Sequence, residues 1–454
     1  MAQIHKKTAV LVALAVLMAA SVRGLHGKTA QVPEREHLLN GLTVLYGNRP
    51  GDPNILLKLR IKSGAAFDLA GKSGTMSLLA DAMFPESTTR EYVAEQLGGR
   101  LEVSTTYDSI DVTISGKASE LERMIELLRN AILNVNLSPE SVATLREARL
   151  KQLAEKSSNA ESADQAVASR LFGSYPYGSP PQGTAVTVAK IERADLMLAR
   201  DRFLNAENAT LVVIGGVEKS RLMRALRQLL GPWQKGDRIV PATFRQPGSV
   251  DDRVLLIDSP GARNVEIRLA VRGLSRSDPD AVKASILAKV ARARWQAAMP
   301  ELSTAVVRHE AHALSGEFVF AAKVAPASAA KAIAAARQVM TALTESDPSS
   351  TETARALPDD QTRSSPAEAL AEDFIDTETY KLPGPMDRPD PVRIPAADIR
   401  RTAARLFGNS APLAIVVLGN AAELQTQLGY KIELRTNTPE AKPPTTPAVP
   451  PKKP

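Results

Sequence analysis

The 454-residue sequence contains no cysteine, which removes disulfides, thiol nucleophiles, Cys-ligated zinc, iron–sulfur clusters and a lipidated N-terminal Cys together. Histidine is nearly as scarce. His5, His26, His37, His309 and His312 are the whole supply, so any metal or acid–base site has to draw on these and on carboxylates. Long apolar runs are absent after Val22, which excludes a polytopic membrane protein. A basic block is missing as well. The 57 Lys and Arg exceed the 50 Asp and Glu by a net +7 spread along the chain, so nucleic acid is not an expected partner. What remains, 44% hydrophobic and 24% charged, is a globular composition, and its length exceeds one ordinary core. Two or more domains are expected.

The two ends read differently from the middle. His5-Lys6-Lys7 precede the apolar segment Ala9 to Val22, and Ala19, Ala20 and Ser21 offer a cleavage region. The run is shorter than the roughly 20 residues that span a bilayer. Residues 1–27 are therefore expected to be a removable signal for export, into a bacterial periplasm, that would act as an N-terminal membrane anchor only if left uncleaved. Residues 436–454 hold Pro443-Pro444 and Pro450-Pro451 and almost no large apolar side chain, so they are expected to be a disordered tail.

Between the ends, strand and helix patterns alternate. Asn40-Gly41 predicts a tight hairpin between His37-Leu38-Leu39 and Leu42 to Tyr46. Leu57, Leu59 and Ile61 alternate with Lys58, Arg60 and Lys62, which predicts a strand with one apolar and one wet face. Helical spacing is expected from Ser73 to Met83, and further helices at Pro139 to Lys156, Ser162 to Phe172 and Arg193 to Phe203. The second half repeats the plan. Asn54-Ile55-Leu56-Leu57-Lys58-Leu59-Arg60 is echoed by Asn264-Val265-Glu266-Ile267-Arg268-Leu269-Ala270, and Val212-Val213-Ile214-Gly215 by Val416-Val417-Leu418-Gly419. The expected architecture is α+β, with two tandem homologous domains, each a mainly antiparallel sheet packed with helices, together forming a clam-shell. Their boundaries are 28–230 and 251–435, with a linker at 231–250 and a cleft between the halves where a ligand could sit.

These landmarks resemble the insulinase/pitrilysin family of zinc peptidases, which includes processing-peptidase subunits. The specific parts are Leu39-Asn40-Gly41-Leu42-Thr43-Val44, Gly74 through Phe84, Leu97-Gly98-Gly99-Arg100-Leu101, Tyr175-Pro176-Tyr177-Gly178 and Asn208 through Gly215. In active relatives a helix carries His-x-x-Glu-His: two histidines at i and i+4 hold zinc from one face, and the Glu activates the bound water. The corresponding phrase here is Gly74-Thr75-Met76-Ser77-Leu78-Leu79-Ala80-Asp81. Ser77 and Asp81 occupy the histidine positions and Ala80 that of the general base. The family's third ligand, a Glu on a later helix, falls near Lys151 or Gln152, neither of them a carboxylate.

The resemblance therefore implies a peptidase scaffold without zinc or a catalytic residue. It would be a non-catalytic subunit paired with a zinc-bearing family member in peptide processing, with extended peptides as further candidate ligands. An alternative is a stand-alone peptide-binding or scaffold protein; a residual metalloendopeptidase is a third. Arg292 and Arg294 fall near a substrate-contacting Arg of helper subunits, yet no tyrosine occurs between Val250 and Thr379, where the companion Tyr would be expected. His309-Glu310-Ala311-His312 lacks the zincin spacing and reads as part of an extended segment, its two histidines on opposite faces.

Overall fold

The computed structural model describes residues 32–155, 158–236, 244–357, 365–384, 387–408 and 411–436. The expected signal and the Pro-rich tail beyond Thr436 lie outside them. In the first half the order is β1 (Glu34–His37), β2 (Thr43–Asn48), β3 (Asn54–Ile61), α1 (Thr75–Met83), α2 (Ser87–Glu95), β4 (Arg100–Thr105), β5 (Ile110–Lys117), α3 (Leu121–Leu133), α4 (Pro139–Glu155), α5 (Asn159–Phe172), α6 (Ala185–Val188), α7 (Arg193–Phe203), β6 (Ala209–Gly215) and α8 (Lys219–Leu229). The second half runs β7 (Val254–Asp258), β8 (Val265–Arg272), α9 (Ala281–Ala298), β9 (Val306–Glu310), β10 (Glu317–Val324), α10 (Ala329–Glu345), α11 (Ser350–Ala356), α12 (Pro366–Tyr380), α13 (Ala396–Phe407), β11 (Ala414–Gly419), α14 (Ala421–Leu424) and β12 (Ile432–Thr436).

The strands form two six-stranded mixed sheets, ordered β1-β2-β6-β3-β5-β4 and β12-β7-β11-β8-β10-β9. Read outward from β6 and β11, the two orders correspond: β3 to β8, β5 to β10, and the edge strands β4 to β9. Most neighbours are antiparallel; β2–β6, β7–β11 and β7–β12 are parallel. In β3 the alternation sends Ile55, Leu57, Leu59 and Ile61 into a core shared with α1, α3, α7 and α8, where Met76, Leu128, Leu196 and Leu226 meet them. The second sheet builds the matching core with α9, α10 and α13.

The other face of β3 is not wet. Helix α12, from the second half of the chain, crosses it and packs Ala371, Phe374 and Ile375 on Leu45, Leu56, Val212 and Ile214. Arg60, 3% exposed, forks onto Asp111 at 2.8 and 2.7 Å and reaches Asp376 of α12 at 2.6 Å, while Lys58 pairs with Glu372. Alternation reports that a strand has two unlike faces; it does not report that a distant acidic helix neutralises the basic one.

The arrangement is reciprocal. Helix α5 of the first half lies on the second sheet, with Ala163, Val167, Leu171 and Phe172 against Leu255, Ile257, Ala270 and Val416. There Arg268, 4% exposed, bonds Asp164 of α5 at 2.5 Å. Each half thus lends one helix to the other's sheet, so the halves are joined through apolar contact rather than facing across an empty shell. Helix α5 begins three residues earlier than the Ser162 signal suggests, because Ser158 and Glu161 form a capping box. The Asn40-Gly41 hairpin is a longer connection between β1 and β2, in which Gly41 takes φ 91° and Asn40 Nδ2 donates to the Leu230 and Trp233 carbonyls at 2.8 and 3.0 Å.

Candidate functional site

The segment that resembles the zinc motif is α1, and its start is set by local chemistry. Gly74 takes φ 99°, and a Cβ there would stand 2.8 Å from the Gln182 carbonyl, so only glycine fits. Asp68 closes the helix start, its carboxylate accepting the Gly74 and Met76 N–H groups at 2.7 and 2.8 Å. Burial pushes the Asp68 carboxyl up to about 7 in spite of these backbone donors.

Eight of the nine residues of α1 are buried; the ninth is Asp81. Ser77 and Asp81, one turn apart, share the face that meets α4. The residue that α4 brings against them is Arg149. Its Nη1 donates to Ser77 Oγ at 2.8 Å and to the Gln182 carbonyl at 3.5 Å, and its Nη2 to Asp81 Oδ2 at 2.5 Å. The Arg149 side chain is 7% exposed and that of Asp81 40%, and Nε of Arg149 is buried with no partner among the described residues. Burial raises the Asp81 carboxyl above its ordinary value, and the neighbouring Arg149 works against that rise.

Lys151 and Gln152 lie beyond Arg149 on α4 and are exposed; Lys151 stands 3.9 Å from Glu155 rather than near Ser77 or Asp81. The residue opposite Ser77 and Asp81 is thus two to three positions before the Lys151 or Gln152 that the resemblance implies. A usable signal was present. Val142, Leu145, Arg149 and Leu153 recur at helical spacing and all face the first core or its edge, so an arginine interrupts an apolar stripe. Ala80, 2% exposed, adds only a methyl group to the same core.

As a donor set for a dication this constellation is poor. It offers one hydroxyl and one carboxylate, and a guanidinium that cannot give up its charge already holds both. Among the described residues, no group of three or more His, Asp or Glu is placed to hold a metal ion.

The remaining predicted residues lie elsewhere. Arg294 turns to α11 and grips Glu352 at 2.7 and 3.2 Å, while Arg292 is exposed on α9. His309 accepts the Leu274 N–H at Nε2, 3.0 Å, and His312 sits between the rings of Tyr107 and Tyr177, with centroids 5.0 and 4.7 Å away. A cavity of about 760 Å³ opens between the halves, lined by Lys58 and Glu102 of the first sheet, Glu372 of α12, and Arg276, Ser285 and His309 of the second half. Neither Arg292 nor Arg294 lines it.

Two family descriptions match the chain: Insulinase (Peptidase family M16) over residues 43–185, and Peptidase M16 inactive domain over residues 190–357. An uncharacterized zinc protease of Rickettsia felis is 23% identical over 215 residues, covering 46% of this chain and 52% of that protein. The chain thus spans about half the length of the curated relatives it matches. Among solved structures, the peptidase M16 inactive domain from Pseudomonas fluorescens superposes with a TM-score of 0.76 at 17% identity, covering 86% of this chain and 98% of that one. The first half of the periplasmic protease PqqL from Escherichia coli does so with a TM-score of 0.67 at 14% identity, covering 88% and 94%.

Proposed function

Because the chain belongs to the insulinase family of peptidases, M16, we propose that it is a member without catalytic zinc that acts beside a zinc-bearing relative in peptide processing. One observation carries this reading: the guanidinium of Arg149 holds both Ser77 and Asp81, the two positions where an active relative's helix presents histidines. A fixed cation there opposes a dication by direct repulsion, and Ala80 offers no group to take a proton from water. In this reading the chain supplies shape and surface: the cavity between its halves, with the edge strands β4 and β9, forms a wall against which the partner works on an extended peptide. Export to a bacterial periplasm fits the apolar N-terminal segment and the periplasmic PqqL neighbour. No helix among the described residues is long and apolar enough to cross a membrane.

The cavity also favours a second reading, a stand-alone peptide-binding protein. Mixing separates the two. Purified chain and a zinc-bearing M16 protein from the same organism are each assayed alone and together against an unstructured peptide, with and without chelator. The partner reading expects a stable complex and chelator-sensitive cleavage that rises on mixing. Saturable peptide binding by a monomer, with no effect on the relative's activity, supports the second reading, and chelator-sensitive cleavage by the chain alone contradicts both.

A further inference from the structure

The seam where α5 lies on the second sheet contains a carboxylate whose one cationic partner among the described residues is shared with two other acids. Glu317, at the start of β10, is 7% exposed. In the ladder it stands opposite Glu310 of β9 on one side and Arg272 of β8 on the other. Like charges directly opposite on neighbouring strands repel.

Arg272 does not answer Glu317. It donates to the Leu171 carbonyl at 3.3 Å and to the Gly248 carbonyl, and its Nε is buried without a partner among the described residues. Arg268 is taken by Asp164 of α5, the Ala160 carbonyl and Glu266. That leaves Arg308 of β9, which is shared three ways: it bonds Glu310, stands 3.4 Å from Asp164 and lies 3.5 Å from Glu317 Oε1. Glu317 Oε2 is sealed from solvent with no hydrogen-bond partner among the described residues. From the hairpin between β4 and β5, Tyr107 faces the same charges, with His312 against its ring. Arg308 therefore serves Glu310 and Glu317 and shares Asp164 with Arg268, so the acids at this point come from both halves of the chain.

We infer that Glu317 is a proton-operated lock between the halves: protonated, it lets α5 seat on the second sheet, and ionised, it leaves inside that seam a charge that the shared Arg308 only partly offsets. A proton on Oε2 removes one of the two facing charges and supplies a donor where none now stands. The lock is independent of whether the chain partners a zinc-bearing relative.

The direction of titration agrees. Burial first, then the charge of Glu310, push the Glu317 carboxyl up to about 7, against the pull of Arg308. The folded chain then holds a proton that the unfolded chain has already released. Stability is therefore fully present at low pH and falls as pH rises from the ordinary carboxylate range through about 7. The full shift corresponds to roughly three hundredfold in the folded-to-unfolded ratio.

The test compares the full chain with Glu317→Gln and Glu310→Gln by hydrogen exchange at α5 and β9, corrected for intrinsic rates, between about pH 5.5 and about pH 8. In the wild type, protection of α5 is expected to drop by about thirtyfold toward the alkaline end. Glu317→Gln should stay protected throughout. Glu310→Gln changes a partly exposed residue, keeps the fold and should move the wild-type drop to more acidic pH and shrink it, because the charge that helps to hold the proton on Glu317 is gone and Arg308 is freed to face Glu317. Wild type and Glu317→Gln losing protection in parallel, or a drop of full size in Glu310→Gln, overturns the inference.

Discussion

A guanidinium held between a serine and an aspartate one turn apart ties α4 to α1 with no ion involved. Replacing it leaves Asp81 without its partner in a half-buried setting. Because Asp81 is 40% exposed, the cost is discounted from that of a fully buried pair, to about 1–3 kcal/mol. Urea unfolding of Arg149→Met should show that loss as a lower midpoint at unchanged slope. The same contact dictates how a metal site could be rebuilt. Ser77→His, Ala80→Glu and Asp81→His with Arg149→Glu should take up one zinc per chain, whereas the same triple change with Lys151→Glu should not, since Lys151 points to solvent. Equal uptake by both would place the third ligand away from Arg149. At this scale the sequence was legible in part. Ser77, Ala80 and Asp81 are read by spacing within one helix, but the partner 68 to 72 positions away is found only through the fold.

Elements with strong periodicity are the most legible: β3, α1 and α7 lie where their patterns place them. The faces of β3 are another matter. Lys58 and Arg60 look like a solvated row because the residues that pair with them, Glu372 and Asp376, belong to a helix some 300 positions later. Phe374 of α12 is 2% exposed and sits at the centre of this contact. Phe374→Ala is predicted to cost about 3–5 kcal/mol, because the rigid sheet beneath cannot collapse into the space. Thermal unfolding should register it as a clear fall in midpoint; a change within error would mean that α12 merely rests on the surface.

Because each half covers its neighbour's sheet with a helix, the two halves are expected to unfold as one cooperative unit. Residues 32–230 alone would leave the apolar side of α5 uncovered, with Ala163, Val167, Leu171 and Phe172 facing water, and would lack α12 over Leu56, Val212 and Ile214. Either half expressed singly is expected to be poorly soluble or loosely packed, and the two co-expressed should recover a single sharp transition. A sharp transition in one isolated half would contradict this. The duplication itself was readable from the echoed strands, but not the exchange, because matching segments reveal that two units are alike and not how they interlock. In the intact molecule the central claim is that the peptidase scaffold persists while its ion-binding cage does not. Metal analysis of the natural chain, purified without chelator and incubated with excess zinc before desalting, tests this most directly. Far less than one zinc per chain is expected; one equivalent, lost when Ser77 or Asp81 is changed to alanine, would mean that the cage is still intact.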